Sequence, residues 1–321
     1  MKKSFPNLKQ LKRVSLKVRK SQFRQENIAR VAPHGLSFSE FLGSLPEVLA
    51  ARDLHYLIDS VIKARKKKKT VLLMCGAHVI KCGLSRFIIE LLEKNIVTAI
   101  ALNGAGAIHD FELSYAGATS EHVASAIQDG AFGMSIETSR FLNQAVRKGA
   151  QKGEGMGYAI GRMIHTKKLP YRDISLLGCA YRRQVPATVH VALGTDIIHQ
   201  HPECDGASIG AASLRDFHIL CAQVPGLNEG GVVINFGSAV ILPEVFLKAV
   251  SISRNLGRPV RNFTAADFDM LRQYRPTENI VRRPLSGPRA RGMSITGHHE
   301  IMLPLFAYGI LEAMEKGRRH G

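Results

Sequence analysis

The sequence predicts an α/β fold, a three-layer arrangement in which a parallel sheet carries helices on both faces. Short apolar segments alternate with amphipathic helical segments along most of the 321 residues, and this alternation is typical of parallel sheets covered on two sides. The short segments are apolar at successive positions, as strands buried on both faces are. Strands are predicted over residues 70–75, 96–102, 187–193, 230–236 and 259–264.

Residues 71–112 show this pattern most clearly. Val71 to Met74 predicts a buried strand, and a helix follows whose apolar residues recur at i, i+3, i+4, i+7 and i+8. These residues are Leu84, Phe87, Ile88, Leu91 and Leu92. Asn95 ends the helix, and a second apolar strand, Ile96 to Leu102, runs into Asn103-Gly104-Ala105-Gly106. Small side chains let a ligand approach the backbone, so the block indicates half of a nucleotide-type site; a turn without a ligand is the alternative.

A basic N-terminal arm, residues 1–34, precedes one predicted domain over residues 35–321. Helical spacing begins after Pro33-His34-Gly35, with Ser37 or Ser39 as the N-cap. We see no internal repeat and no low-complexity linker after residue 35, which favours a single domain. Further helices are predicted over residues 50–65, 81–95, 120–129, 137–149, 155–166, 208–223, 243–255 and 299–316.

The net charge of +18 is concentrated in two segments. Residues 1–30 hold ten Lys/Arg against the single acid Glu26, and a basic run covers Lys63 to Lys69. Solvated surface charge that aids solubility or subunit contact is one interpretation. Binding to the phosphates of nucleic acid is the other, although an aromatic content of 7% offers no platform for stacked bases.

Cysteine usage and hydropathy indicate a cytoplasmic protein. The five cysteines lack C-x-x-C spacing, which favours reduced thiols over disulfides. No apolar run reaches the ~18 residues of a membrane-spanning helix, and the N-terminus lacks the apolar segment of a secretory signal. We therefore expect no membrane contact.

The block 71–112 resembles the deoxyhypusine synthase family. In that family a Ser/Gly-rich turn opens a helix, and a T-A-G-G turn with acidic residues contacts NAD and the polyamine. The similar segments here are Cys82-Gly83-Leu84-Ser85, then Asn103-Gly104-Ala105-Gly106, then His109, Asp110 and Glu112. Asp205 to Gly210 and Gly230 to Ser238 extend the resemblance in order over residues 70–310. The resemblance implies an NAD-binding fold and a homotetramer with sites between subunits.

The departures from this family concern its chemistry. The family forms an imine on a lysine in a late W-G-K motif, whereas this chain has no tryptophan and no lysine between Lys248 and Lys316. Where the family has consecutive histidines after its Gly-rich strand, this chain reads Ile241-Leu242-Pro243-Glu244. The resemblance therefore implies the fold and a nicotinamide-type cofactor, but not the modification of a lysine on a translation factor.

Two clusters of candidate residues follow predicted strands, where functional groups concentrate in such sheets. His78 and Lys81 follow the first strand, and a lysine at a helix start opposes the helix dipole, which favours a ligand role over plain surface polarity. Gly237 and Ser238 close another strand and can offer N–H groups to a phosphate. Glu244 stands in the next helical turn, where the dipole favours an acid.

A third cluster runs from Gly194 to Asp205, directly after the strand at 187–193. It holds two histidines, His199 and His201, but H-x-H on a loop lacks the i, i+4 spacing of zinc signatures. We therefore expect no metal. Contacts to the ribose or the amines of a ligand, with Asp196 or Asp205 accepting, are the preferred interpretation.

A fourth cluster combines Arg282 and Arg283 with the later pair His298 and His299. Paired arginines favour a planar anion, carboxylate or phosphate, bound through two hydrogen bonds; a basic surface loop is the alternative. A histidine before an apolar helix can serve as general acid or base, because its charge changes near neutral pH.

Three functional hypotheses follow from these observations. The first is a deoxyhypusine-synthase-like enzyme, a transferase that uses NAD to transfer or release a group at a C–N bond of a small amine, such as a polyamine, or of a related metabolite. The second is a hydrolase or transferase whose anionic substrate is held by Arg282 and Arg283, and the third is a basic nucleic-acid-binding protein. The residues assigned to catalysis are His109, Asp110, Glu112, Glu244 and His298. Those assigned to NAD are Cys82, Ser85, Asn103, Gly104, Ala105, Gly106, Asp196, Asp205, Gly237 and Ser238. Those assigned to the substrate are His78, Lys81, His199, His201, Arg282 and Arg283.

Overall fold

A computed structural model describes residues 5–31 and 33–319, without the side chains of residues 316–319. It contains one sheet of six strands in the order β3-β2-β1-β4-β5-β6, and every neighbouring pair is parallel. The strands are β1 (Val71–Cys75), β2 (Ala99–Asn103), β3 (Ala187–His190), β4 (Val232–Phe236), β5 (Thr264–Asp269) and β6 (Arg291–Thr296).

Thirteen α-helical segments surround this sheet within the described residues. They are α1 (Phe38–Ser44), α2 (Leu49–Lys66), α3 (Ala77–Lys81), α4 (Ser85–Glu93), α5 (Gly104–Ala116), α6 (Val123–Ala126), α7 (Ile136–Gln151), α8 (Met156–Thr166), α9 (Leu176–Arg183), α10 (Gly206–Gln223), α11 (Ile241–Asn255), α12 (Tyr274–Pro276) and α13 (His299–Arg319). A π-helical turn, Thr277–Arg282, extends α12. No helix among the described residues is both long and apolar enough to cross a bilayer.

Two separate apolar clusters cover the two faces of the sheet, which confirms the predicted three layers. Val71, Leu73 and Cys75 of β1 belong to the larger cluster, with side chains of α2, α4, α5, α8, α9 and α13. Leu72 and Met74 point to the other cluster, which α10, α11 and the π-helical turn complete. Alternate residues of one strand thus supply both cores, because successive side chains point to opposite faces.

Strand order reverses between β1 and β4, and the turns that follow these two strands touch at this point. The Gly76 N–H donates to the Phe236 carbonyl at 2.8 Å, and a Cβ on Gly76 would overlap the Gly237 carbonyl. The carboxyl ends of all six strands lie along the same edge. Ligands of open parallel sheets bind along this edge.

Several predicted elements match the structure closely. Ser37 caps α1 and its hydroxyl accepts from the Glu40 N–H, while Asn95 follows the end of α4 with a left-handed φ of 52°. The arm has two short 3-10 turns, Leu8–Gln10 and Gln25–Asn27, and its apolar side chains are exposed. Residues 1–4 and 32 of the predicted arm lie outside the described residues.

Other predictions of elements were wrong. The last predicted strand, residues 259–264, lies five residues too early, since β5 begins at Thr264. The edge strand β6 and the helices α5 and α9 were not predicted. The predicted helix 81–95 begins four residues too early, since α4 begins at Ser85, and the short helix α3 before it was not predicted; Gly83 separates the two with a left-handed φ of 75°.

Candidate functional site

A cavity lies at the carboxyl edge of the sheet, beside β1, β2 and β3. Its volume is about 750 Å³, within the range of small-molecule sites. Lys81 of α3, residues of α5, the loop after β3 and the segment 118–135 line it. The polar side chains of its wall are Lys81, His109, Glu112, Thr119, Ser120, Glu121, Ser135, Thr195 and Asp196.

A chain of hydrogen bonds runs along the wall from His109. The His109 Nδ1 lies 2.6 Å from the Thr119 hydroxyl, which donates to the Glu112 Oε2 at 2.5 Å. The other oxygen of Glu112 accepts from the Thr138 hydroxyl at 3.0 Å, and the Ser135 hydroxyl donates to Thr138 at 2.9 Å. His109 and Glu112 are three residues apart on α5, so both face the cavity.

Burial and charge act together on the His109 ring. Desolvation is the larger cause and the positive charge of Lys81 the second, and together they lower the pKa of His109 to about 4. Its side chain is 16% exposed. At neutral pH the imidazole is therefore uncharged and one of its nitrogens is a hydrogen-bond acceptor.

Asp196 occupies the position that the sequence suggested for a ligand beside Gly104. A Cβ on Gly104 would overlap the Asp196 carboxylate, so the absence of a side chain there makes room for Asp196. The Ala105 N–H donates to this carboxylate, while burial raises the pKa of Asp196 to about 6. The Asp196 Oδ2 is buried and accepts no hydrogen bond from the described residues. Asn103 caps α5, because its Oδ1 accepts from the Gly106 N–H at 2.9 Å.

A second group of side chains lies where β1 and β4 end. The His78 and His299 rings are 5.7 Å apart, and His299 sits over Gly237, where a Cβ would be 2.5 Å from its Nε2. Burial is the main cause that lowers the pKa of His299, and nearby Asp269 opposes it. Ser238 is buried at this turn and caps α11 through the Leu242 N–H. Gly237 and Ser238 thus border His299 rather than the 750 Å³ cavity.

Asp110 does not face the cavity. It is fully buried, and its carboxylate accepts from the Ser175 hydroxyl and from the N–H groups of Leu176 and Leu177 at 2.6 to 3.1 Å. Desolvation raises the pKa of Asp110 to about 6 against these hydrogen bonds. This position does not support the predicted catalytic role of Asp110. Its contacts give it a structural role, because they fix the start of α9.

The histidines of the loop after β3 hold that loop in place. The His199 Nδ1 accepts from the Gly194 and Asp196 N–H groups at 3.1 and 3.3 Å, and the His201 Nε2 donates to the Gly133 carbonyl at 2.8 Å. Asp205 caps α10 through the Ala207 N–H. Neither the two histidines nor Asp205 line the cavity, so their assignments to substrate and NAD have no support from this geometry. Among the described residues, no group of His, Cys, Asp and Glu side chains is arranged to hold a metal ion.

The paired arginines lie away from the cavity. Arg282 and Arg283 are exposed and pair with Glu278. The adjacent Val281 packs against Gly292 near the amino end of β6, which is the opposite edge of the sheet. The hypothesis of an anionic substrate held by these arginines is therefore not supported by their position.

The remaining predicted residues are dispersed. Glu244 forms ion pairs with Lys248 and Arg275 on α11 and α12, which lower the pKa of its carboxyl together with a hydrogen bond from Asn279. His298 is exposed beside Glu300.

Cys82 and Ser85 stand around the start of α4. The Cys82 thiol lies 3.3 Å from the His78 Nε2. Ser85 is buried, and its hydroxyl is unpaired among the described residues. Neither lines the cavity.

Sequence reasoning missed the segment 118–135, which lines the cavity. Thr119, Glu121 and Ser135 lie in residues 118–135, which were predicted only as a helix over 120–129. The structure has four helical residues there, Val123–Ala126. No motif marks this segment; only its succession of small and polar side chains after Gly117 distinguishes it.

Comparisons with known proteins support the fold. No protein-family model and no curated protein matches this sequence. Solved structures do match: a conserved protein assigned to the LOR/SDH group from Methanococcus maripaludis has 14% identity and a TM-score of 0.50, over 97% of this chain and 76% of the other. A protein assigned as a deoxyhypusine synthase from Entamoeba histolytica has 11% identity and a TM-score of 0.51, over 87% of this chain and 94% of the other.

A third match is AgrE, whose structure was solved as a ternary complex with ornithine and NAD+. It has 12% identity and a TM-score of 0.53 over 85% of this chain, but this covers only 35% of AgrE. The chain thus spans about a third of that protein. At these identities the matches confirm the predicted fold class and assign no family.

Proposed function

We propose that this chain is an enzyme that binds a small amine together with NAD in the 750 Å³ cavity. The observation that carries the proposal is the composition of the cavity wall, where three carboxylates, Glu112, Glu121 and Asp196, face a single cation, Lys81. Carboxylates accept hydrogen bonds and attract positive charge. A protonated amine is the small-molecule class that satisfies both properties.

The wall also has groups that suit NAD. Asp196 lines the cavity, and its carboxylate suits the hydroxyls of a ribose. Lys81 suits the negative charge of the pyrophosphate. The complex of AgrE with NAD+ and ornithine supports this pair of ligand classes on a similar fold.

The proposed reaction class is the transfer or release of a group at a C–N bond of the amine. NAD, when bound, supplies a hydride acceptor for the carbon beside the nitrogen. Glu112 and Glu121 offset the charge of the ammonium group, and His109 offers an uncharged acceptor nitrogen.

Calorimetry with the full chain tests the proposal. We expect binding of NAD+, and of spermidine or ornithine in its presence, with Asp196→Asn weakening NAD+ about tenfold, as expected when a hydrogen bond to a charged group is lost. Asp205→Asn, which changes an aspartate of the same loop outside the cavity, should bind as the unmodified protein does. An intact protein that binds neither NAD+ nor either amine would refute the proposal.

A further inference from the structure

We propose that Thr119 is a positioning residue that holds His109 in the tautomer protonated on Nδ1 and leaves Nε2 as the acceptor for the substrate. This inference rests on the proposed function and deepens it, because it specifies which part of a substrate the cavity recognises. The geometry of three side chains, His109, Thr119 and Glu112, carries it.

The direction of each hydrogen bond follows from the number of protons available. An ionised carboxylate can only accept, so the single hydroxyl proton of Thr119 lies on the 2.5 Å bond to Glu112. The Thr119 oxygen must then accept from the His109 Nδ1, which is 2.6 Å away. The Thr138 hydroxyl, 3.0 Å from the other oxygen of Glu112, holds the carboxylate in this orientation.

The second ring nitrogen of His109 is left as an acceptor. Among the described residues, no group forms a hydrogen bond with Nε2, and His109 belongs to the cavity wall. Four charged groups line this space: Lys81 from α3, Glu112 on α5 with His109, Glu121 from the segment 118–135, and Asp196 from the loop after β3. Because the His109 pKa lies at about 4, the ring keeps this lone pair throughout the neutral pH range.

We therefore expect the cavity to prefer substrates that present a hydrogen-bond donor to His109. A neutral Nε2 accepts from an N–H or O–H group and repels a carbonyl or carboxylate oxygen placed at the same point. A primary or secondary ammonium group meets this requirement with its positive charge near Glu112 and Glu121. The cavity therefore selects the amino end of a substrate at His109.

Histidine nitrogen NMR on the full chain tests the tautomer. In ligand-free protein we expect His109 to be protonated on Nδ1, and the same in Thr119→Ser, which keeps the hydroxyl. Thr119→Val removes the hydroxyl at similar volume and should raise the fraction protonated on Nε2. Thr166→Val, the control, removes a hydroxyl that donates to the Arg162 carbonyl outside the cavity and should leave Nδ1 protonated. A ring protonated on Nε2 in the unmodified protein overturns the inference, even if a variant fails to fold.

Titration with spermidine as the probe tests the acceptor role. We expect Thr119→Val to bind spermidine about fivefold more weakly, as for one lost hydrogen bond, and Thr119→Ser to restore the affinity. An unchanged affinity in Thr119→Val, despite a changed tautomer, would overturn the acceptor role. If the unmodified protein binds no amine, the proposed function fails, while the NMR result still decides the role of Thr119.

Discussion

Lys81 contributes to the lowered pKa of His109. Its positive charge is the second cause, after burial, of the lowered pKa of His109. We predict that Lys81→Met raises this pKa above its value of about 4 but keeps it below 6.5, because burial remains. A pH titration of the histidine resonances measures the shift. Lys94→Met, which removes a lysine paired with Glu90 outside the cavity, should leave His109 unchanged, and equal effects of both variants would contradict the prediction.

Gly104 is required because Asp196 lies against its backbone. We predict that Gly104→Ala displaces the carboxylate, breaks the hydrogen bond from the Ala105 N–H, and lowers the free energy of unfolding by about 1–3 kcal/mol. Gly210→Ala is the matched control, since its helix position is open and alanine favours a helix by ~1 kcal/mol. Urea denaturation of both variants measures the two changes. A higher free energy of unfolding for Gly104→Ala would show that Asp196 can move without destabilising the protein.

The candidate site shows what single residues reveal before a structure exists. Glu112 and Asp196 combine a charge with a position after a strand, and both line the cavity. Asp110 has the same two properties but is buried, because α5 turns about 100° per residue and points it away from the face shared by His109 and Glu112. The missing information was therefore the presence of α5, which its glycine-rich start concealed.

At the level of elements, Asp110 joins α5 to α9. Its carboxylate satisfies the hydroxyl of Ser175 and two N–H groups at the start of α9, groups that a helix cannot satisfy within itself. We predict that Asp110→Ala lowers the free energy of unfolding by roughly 3 kcal/mol, as for about three lost hydrogen bonds at a buried site.

Chemical denaturation followed by circular dichroism measures this loss. The control is Asp205→Ala, because Asp205 also caps a helix but lies outside the core, so that water replaces it. A smaller loss is expected for Asp205→Ala than for Asp110→Ala. Equal losses would mean that the contact with α9 contributes little.

The last two strands show why elements near a ligand-binding edge are hard to predict. Apolar Val260 and Phe263 suggested the strand 259–264, but they precede β5 and pack in the second core cluster. The strand itself reads Thr-Ala-Ala-Asp-Phe-Asp. It has no continuous apolar run, because its carboxyl half lies at the functional edge and includes the polar Asp267. β6 is an edge strand with partly exposed residues, and it therefore lacks the continuous apolar run that marks the central strands.

For the whole molecule, the fold class follows from sequence but the strand order does not. Alternating strands and helices indicate a parallel sheet, whereas the crossing from β3 at one edge to β4 beside β1 depends on contacts distant in sequence. The neighbouring positions of β3, β2 and β1 place the loops after these three strands together. The cavity and its polar wall are the consequence.

Buried ionisable groups couple the stability of the whole molecule to pH in opposing directions. Burial raises the pKa values of Asp110, Asp196, Asp216 and Asp267 to about 6 or 7. The stability that each contributes is complete below the unfolded pKa of 3.8 and is lost as the pH rises through the folded value. Burial lowers the pKa values of His109 and His190 to about 4, and their contribution, present above 6.5, is lost as the pH falls toward 4. Because these contributions oppose one another, the pH dependence that one group contributes to the free energy of unfolding is seen only when that group alone is substituted.

Asp216 of α10 offers this test, because it connects three elements. Its Oδ2 accepts from the Gly157 N–H of α8 and the Val189 N–H of β3, both at 2.8 Å. Its folded pKa of about 7 is the highest of the four aspartates. Asp216→Asn keeps a carbonyl oxygen for these donors but does not titrate. We predict that the variant gains stability relative to the unmodified protein as the pH rises from 4 to 7, by at most about 1.4 kcal/mol per pH unit, and that the difference is constant above pH 7.5.

Urea denaturation at intervals between pH 4.5 and 8 measures this difference in the free energy of unfolding. Asp205→Asn is the control, and its curve should run parallel to that of the unmodified protein above pH 5. Parallel curves for Asp216→Asn would show that this carboxyl titrates in the folded protein as it does in the unfolded chain.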